Sequence, residues 1–572
     1  MKPIVRPLRD NIYYLTLFFL TILHLSSLFS PIPEGDVSFY ACISKTMHLT
    51  GNYIELFAYG NDWLDKPHLS FWITALSFKV FGLNDFAYRF PALLFTVLTA
   101  FYTYKFARAL YNRQVARLAV LSLLAAFQLV INNNHVKVEP YLTGFIIASV
   151  YYLYKVQLNL NWKNLLLGAF FAACAVMTKG VFVLIFPIGA AIVGELVIKG
   201  QWKELFHYKW LLIFILILIF ITPELYALYY QFDSHPEKTI FRETGVSGIK
   251  FFFWDSQIGR FFNTGPITVE QNTNYIFFLH TLIWAFFPWG ILLYYAFCKV
   301  LLKRSINSAY KRQEFYNFSA ALFTTLIFSL SSIQYPHYIG IAFPFYGILI
   351  AQEIFKLSTS KEILFFRITQ YISIAAGLGL ILLIHFSYND YQTHFYPLVF
   401  SIISLGLIGL IIVVTKQNLP VNIKIFYQSC LASIIIMLYF NFVFQSDVVK
   451  KYESGHLAAS YANENFPNTQ TSALRAYGAR SFFFKSHQEA TYYSNLEELL
   501  NHQENKEFLI YTDEKGMDLV KNKGIPICRT KNFEYFRSAH LNFKFINRRT
   551  RKEALENRFL VLINTNGCQK DY

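Results

Sequence analysis

Long apolar runs, each near the roughly 20 residues that a helix needs to cross a bilayer, recur between Ile12 and Phe444. They predict spans near residues 12–29, 86–104, 118–132, 138–154, 164–178, 180–198, 209–230, 274–298, 315–333, 337–355, 363–386, 395–415 and 425–444. The run from Leu165 to Val197 exceeds one crossing and is divided at Thr178, Lys179 and Gly180. Gly and Pro are scattered through these runs, as membrane helices permit. The first span is too long for a removed signal peptide and lacks a small-residue cleavage site, so it reads as an anchor.

Two polar stretches between spans are too long for simple turns: residues 31–85 and 231–273. Within the first, residues 36–49 and 68–81 predict amphipathic helices lying at the membrane interface. From Ser446 the pattern becomes that of a soluble domain. Strand-like runs at Glu507–Thr512 and Arg558–Asn564 accompany a helix-like stretch at Asn495–Gln503. The expected architecture is a polytopic α-helical membrane protein with about 13 transmembrane helices and external interfacial helices over 1–445. A small mixed α/β domain follows over 446–572, expected as a packing or acceptor-docking lid without catalytic groups of its own.

Composition agrees with the membrane class: 55% of the 572 residues are hydrophobic, 15% are charged, and there are 60 Phe and 39 Tyr. The formal charge of +16 is largely a topology signal. Lys2, Arg6 and Arg9 precede the first span, and every second loop is basic: Lys105 to Arg117, Lys155 and Lys163, Lys199 to Lys209, Lys299 to Arg312 (Lys303, Arg304 and Lys311 included), Lys356 to Arg367, and Lys416 with Lys424. The intervening loops, such as residues 387–394, carry few cations. The positive-inside rule then puts the N-terminus in the cytoplasm of a multi-pass cytoplasmic (inner) membrane protein and the C-terminal domain outside. The basic rim faces anionic lipid headgroups; nucleic acid is not implied. Of six cysteines none has metal-ligand spacing, and Cys528 and Cys568 share the exported domain and are candidates for a disulfide.

Polar chemistry concentrates on the outer side. Asp36 follows the helix-stopping segment Pro31 to Gly35 and is open to two readings, helix N-cap or working carboxylate. Lys66 precedes Pro67 at the start of the next interfacial helix, where it either holds a phosphate or snorkels to water. Asp65 is a partner for Lys66, a cap or a cation ligand. His135, Lys137 and Glu139 alternate in the loop between the third and fourth spans, and a carboxylate at the mouth of a span is costly unless paired or wet. Lys179, Asp255, Arg260 and the stretch 331–340, with Gln334, His337 and Tyr338, fall on the same side. Acids, cations, tyrosines and histidines above an apolar bundle fit an amphipathic lipid phosphate.

These motifs, in this order, resemble the integral-membrane GT-C glycosyltransferases of the aminoarabinose transferase and protein O-mannosyltransferase group. The resemblance is carried by "EGDVSFY", "DWLDKPHLSFWITALSFKVFG" (62–82), "HVKVEPYL" (135–142), "MTKG" (177–180), "WDSQIGRF" (254–261), "FFPW" (286–289) and "SLSSIQYPHYI" (329–339). It implies transfer of a sugar from a polyprenyl phosphate at the outer membrane face with inversion. It further implies Asp36 as main catalytic carboxylate with Glu139 as second acid, and Lys66, Arg260, Tyr338, Tyr40 and Lys179 as donor-phosphate contacts. His68, His135, Lys137, Gln334 and His337 are then expected to line the substrate pocket. Asp65 and Asp255 match positions for a divalent cation, the one cofactor left open. The expected acceptor is an envelope lipid such as lipid A, the alternative an exported protein hydroxyl. A lipid transporter ranks lower, since no inverted repeat is visible and the acids sit at the outer mouth rather than mid-membrane.

Overall fold

A computed structural model describes residues 5–28, 30–268, 273–303, 315–388, 395–476, 479–487, 490–503 and 505–568. Lys2, Arg304, Lys311 and Arg312, most of the 387–394 loop, and the side chains of Arg6, Arg9 and Lys303 lie outside the described residues. Helix occupies each expected span, but the crossings are uneven. Among the described residues five helices are long and apolar enough to cross a membrane, Asp85–Leu110, Pro336–Lys356, Ser360–Tyr388, Pro397–Lys416 and Val421–Tyr452. Seven result if the bent pairs Arg113–Leu124 with Phe127–Asn134 (54°) and Tyr208–Phe220 with Thr222–Asp233 (44°) each count once. The remaining spans are shorter helices or helices interrupted by polar residues. The expected split at Thr178–Gly180 is present: the helix Trp162–Lys179 ends there on Gly180, whose φ is +103°.

Close approach of backbones holds the bundle. A β-carbon at Gly168 would lie 2.9 Å from Leu153, where the helix Trp162–Lys179 packs on Glu139–Leu158. One at Gly347 would lie 2.9 Å from the carbonyl oxygen of Ala119, where Phe343–Lys356 crosses Arg113–Leu124. Basic residues close the last turns of Asp85–Leu110, Glu139–Leu158, Phe343–Lys356 and Phe395–Lys416.

The two interfacial helices form at Asp36–Thr50 and Leu69–Phe81. The second departs from the expected amphipathic pattern. Ser70, Thr74 and Ser77 are buried, while Leu76, Val80 and Phe81 are exposed. Small polar side chains pack inward, where Thr74 donates to Ser70 O and Ser77 to Ala87 O, and the apolar side is left for lipid.

The C-terminal region carries a five-stranded sheet of β1 (Thr471–Leu474), β2 (Thr491–Tyr493), β3 (Glu507–Asp513), β4 (Ile527–Tyr535) and β5 (Glu556–Asn564). Their order is β2-β1-β3-β5-β4, with β1 parallel to β2 and β3 and the β5 pairings antiparallel. Both faces of β3 are buried: Phe508 and Ile510 join a small domain core, while Leu509 and Tyr511 join the core that continues into the bundle. Tyr511 stacks on Phe482 of the helix Ala479–Lys485, with ring centroids 4.9 Å apart. Cys528 and Cys568 are disulfide-bonded.

Candidate active site

Gly35, at φ +133°, turns the chain out of the Pro31–Glu34 segment so that helix begins at Asp36. Gly35 is therefore the N-cap, and Ser38 Oγ completes the cap by donating to Gly35 O at 3.0 Å and accepting from Gly35 N at 3.1 Å. Asp36 does not cap the helix. Its half-exposed carboxylate accepts from Lys137 Nζ at 3.0 Å and lies 3.6 Å from Arg480 Nη1. Burial raises the Asp36 carboxyl, but the Lys137 ammonium outweighs it, with Arg480 adding to the effect, and holds the group below the ordinary carboxylate range.

The segments bearing Asp36 and Lys137 are held together by the first turns of Asp85–Leu110. The buried Arg89 guanidinium donates to Pro31 O (2.9 Å), Asn134 O (3.1 Å) and Ser30 O. Tyr88 Oη donates to Val136 O at 2.9 Å, and Ile32 N donates to Asp85 at 2.9 Å. A buried arginine satisfied by backbone carbonyls is a rigid strut, because any motion leaves a charged donor unpaired.

A second charge cluster forms the inner wall. Asp65 pairs with Lys66 Nζ at 3.0 Å and with Arg260. Glu139 pairs with Lys179 at 2.7 Å and lies 3.8 Å from His337 Nε2, while the Lys179 ammonium sits 4.0 Å from the Tyr338 ring centre. Around them is a cleft of about 210 Å³, lined among others by Asp36, Tyr40, Lys66, Lys137, Glu139, Arg260, His337, Tyr338 and Arg480. Burial raises the Tyr40 phenol well above its ordinary value, so it remains a protonated donor. An apolar pocket with Phe182, Phe261, Phe328 and Ile341 on its walls adjoins the cleft and shares Asp65, Lys66, Arg260 and Tyr338 with it. Five cations, Lys66, Lys137, Lys179, Arg260 and Arg480, face three carboxylates, Asp36, Asp65 and Glu139, across the two spaces. Arg260 Nε is buried with no hydrogen-bond partner among the described residues. The surplus of positive charge favours an anion at the seam.

Other expected site residues do not converge. His68 is fully buried and structural: its backbone N and Nδ1 pair with Glu224 at 3.0 Å each, and Nε2 faces Ile54 O at 3.0 Å. Gln334 clamps a loop, donating to Asn274 O and Ser329 O at 3.1 Å each. His135 opens instead on a neighbouring cavity of about 300 Å³, which Lys137 and His337 separate from the cleft. The Asp65–Asp255 cation site does not assemble: among the described residues no three His, Cys, Asp or Glu group as metal ligands. Asp65 already sits between two cationic side chains, and a divalent ion there would face both charges.

Arg480 is the main residue that sequence reasoning missed, and it comes from the domain expected to carry no catalytic group. The helix Ala479–Lys485 is gripped at both ends by the Asp36 region. Ser481 N donates to Glu34 at 2.8 Å at its start, and buried Lys45 Nζ donates to Phe483 O (2.8 Å) and Ser486 O (2.6 Å) at its end. A carboxyl acceptor thus meets a free N–H at the N-terminus and a cation meets the last carbonyls at the C-terminus, the partners that helix ends require. Glu34 N in turn donates to Glu453, whose carboxylate also accepts from Ser538. Burial, aided by the neighbouring Glu34 charge, pushes the Glu453 carboxyl up to about 7, and burial raises Glu34 as well. A raised folded-state carboxyl favours folding most below its unfolded pKa and loses that contribution as pH rises through the folded value. Thermal stability is therefore expected to fall between about pH 5 and pH 8, and Glu453→Gln to flatten that fall. Melting curves of parent and variant across that range are the check, and parallel slopes would reject the coupling.

Residues 65–226 match the family of dolichyl-phosphate-mannose-protein mannosyltransferases. The undecaprenyl phosphate-alpha-4-amino-4-deoxy-L-arabinose arabinosyl transferase of Edwardsiella ictaluri is 27% identical over 375 residues, 63% of this chain and 63% of that protein. Its Pseudomonas aeruginosa namesake is 28% identical over 282 residues, 48% of this chain and 47% of that one. The matches thus span less than two thirds of these relatives' own lengths. The crystal structure of ArnT from Cupriavidus metallidurans bound to undecaprenyl phosphate superposes with a TM-score of 0.71 at 15% identity, covering 96% of this chain and 97% of that one. The apo structure gives a TM-score of 0.70. The chain thus shares the fold of ArnT over nearly its whole length, and is similar in sequence, over part of it, to the aminoarabinose transferases and the dolichyl-phosphate-mannose-protein mannosyltransferases.

Proposed function

We propose that the protein transfers a sugar from a polyprenyl (undecaprenyl) phosphate to an envelope lipid such as lipid A, at the outer face of the cytoplasmic membrane and with inversion at the anomeric carbon. The observation that carries this reading is the seam: Lys66, Arg260 and Tyr338 line both a polar cleft and an apolar pocket, as an amphipathic lipid phosphate requires. Relatives bearing the arabinosyl transferase name support the donor class. The disulfide supports an outer location for the C-terminal domain, since such bonds persist on the oxidising side of the membrane.

The chemistry follows from the charges. An acceptor oxygen attacks the anomeric carbon, the bond from that carbon to the phosphate oxygen breaks, and the electron pair leaves with the polyprenyl phosphate. Lys66, Arg260 and the Tyr338 hydroxyl stabilise the charge that grows on the leaving oxygen. Asp36 takes the proton when the acceptor is a hydroxyl; when the acceptor is a phosphate, Asp36 orients it and balances Lys137 and Arg480. Glu139 fixes Lys179 over Tyr338. The cavity beyond Lys137 and His337, with Trp284 and Phe444 on its walls, is the acceptor's approach.

Mass spectrometry of lipid products after incubating purified protein with polyprenyl-phosphate sugars and lipid acceptors tests the proposal; absence of any glycosylated lipid with every donor would overturn it. The mannosyltransferase-family match over 65–226 keeps protein hydroxyls as the second acceptor class. A deletion strain with unchanged lipids and lost protein glycans would favour that reading.

A pH effect follows from the Lys137 contact. With Asp36 required as an anion, activity falls as pH drops through its lowered pKa. Lys137→Ala removes the cation that holds that pKa down, so the acid limb of the kcat/KM profile is expected to move to higher pH. An unmoved limb would separate Asp36 from the rate-determining chemistry.

A further inference from the structure

At the end of the bundle opposite the cleft lies a groove for which the sugar chemistry has no use. It runs between the helices Val5–Leu25, Asp85–Leu110 and Arg113–Leu124, encloses about 430 Å³, and carries Arg113 and Arg117 at one end and His24 at the other. From Tyr13 to His24 the first helix advances about 16 Å at 1.5 Å per residue. That is roughly half of the ~30 Å hydrocarbon core, the depth of one leaflet. Its histidine and threonines are already satisfied internally. His24 is bonded through both ring nitrogens, to Leu124 O at 2.9 Å and Asn133 Nδ2 at 2.8 Å. Thr21 and Thr96 donate to their own helix carbonyls. The walls therefore offer apolar surface, to which Tyr14, Val97 and Phe101 add exposed sides.

The rim is different. The Arg117 guanidinium lies 4.8 Å from the Tyr13 ring centre and 5.6 Å from that of Tyr14, and one of its nitrogens pairs with Asp10. Its Nη2 is buried with no hydrogen-bond partner among the described residues. Arg113 is exposed and near enough to act on the same aspartate. Two guanidiniums against one carboxylate leave the rim positive.

We propose that this groove holds one acyl chain of an anionic glycerophospholipid from the leaflet opposite the cleft, with the phosphate on Arg117 and Arg113. Guanidinium forks suit phosphate oxygens, and a basic pocket between membrane helices suits an anionic headgroup. A polyprenyl chain is far longer than a groove of one-leaflet depth, so the site is independent of the proposed donor.

The test uses the full-length protein in nanodiscs of equal phosphatidylglycerol and phosphatidylcholine, with retained lipid read by native mass spectrometry. The parent is expected to retain phosphatidylglycerol preferentially. Arg113→Gln, at an exposed position, should lower that preference about fivefold, and Arg117→Gln by a similar factor. Ala100→Trp, filling the groove from its wall, should lower retention of both lipids. Equal retention of the two lipids by the parent, parent-like retention by Ala100→Trp, or displacement of the retained lipid by added polyprenyl phosphate would each overturn the proposal.

Discussion

Replacing Asp36 by asparagine is expected to lower kcat for sugar transfer about 10²–10⁴-fold, the range for losing a positioned general base, while the KM for the lipid-linked donor changes little. Asparagine keeps the shape and can still accept from Lys137, but it has neither charge nor basicity. In the proposed mechanism the donor phosphate rests on Lys66, Arg260 and Tyr338 and not on this carboxylate, so the loss falls on the chemical step. Steady-state kinetics with a defined polyprenyl-phosphate sugar make the check. A parent-like kcat would remove Asp36 from the mechanism, and a loss well below that range would point to a phosphate rather than a hydroxyl as acceptor.

The second large effect belongs to Arg260. Arg260→Ala is expected to lower kcat/KM about 10²–10³-fold, the scale for removing one donor aimed at developing negative charge. Part of that loss is indirect. Asp65, paired with Arg260 and Lys66 in the parent, is left with Lys66 alone, and its charge then repels the donor phosphate. Asp65→Asn in the Arg260→Ala background should therefore recover part of the activity, and the two substitutions should be non-additive in a double-mutant cycle. Additive losses would mean that Asp65 serves the donor in some other way.

Much of this arrangement is legible from local pattern. Apolar runs locate helices, Gly35 and Pro67 mark the starts of the two interfacial helices, and the short apolar runs "EFLIYT" and "RFLVLIN" announce the paired strands β3 and β5. The cleft residues Asp36, Lys66, Lys137, Glu139, Arg260, His337 and Tyr338 are identifiable from motif order because each sits at a loop mouth on one side of the bundle. What stays hidden depends on distant partners. The motif histidine His68 is indistinguishable from a ligand until Glu224, 156 residues away, is seen to claim it. Arg480 lies in a stretch without periodic or compositional cue, and its place is set by Glu34 and Lys45, whose partners are more than 400 residues off. Arg89 looks like an ordinary helix arginine, yet its three carbonyl partners come from two separate segments.

The grip on the helix Ala479–Lys485 has a temporal side. Glu34 and Ser481 are 447 residues apart in the chain, so at roughly 5–20 residues per second the ribosome delivers the second roughly 20–90 s after the first. For most of that interval Asp36 and Lys137 have both been synthesised, while Arg480 has not. The cleft is therefore completed last: its Arg480 wall is in place only after nearly the whole chain has been made.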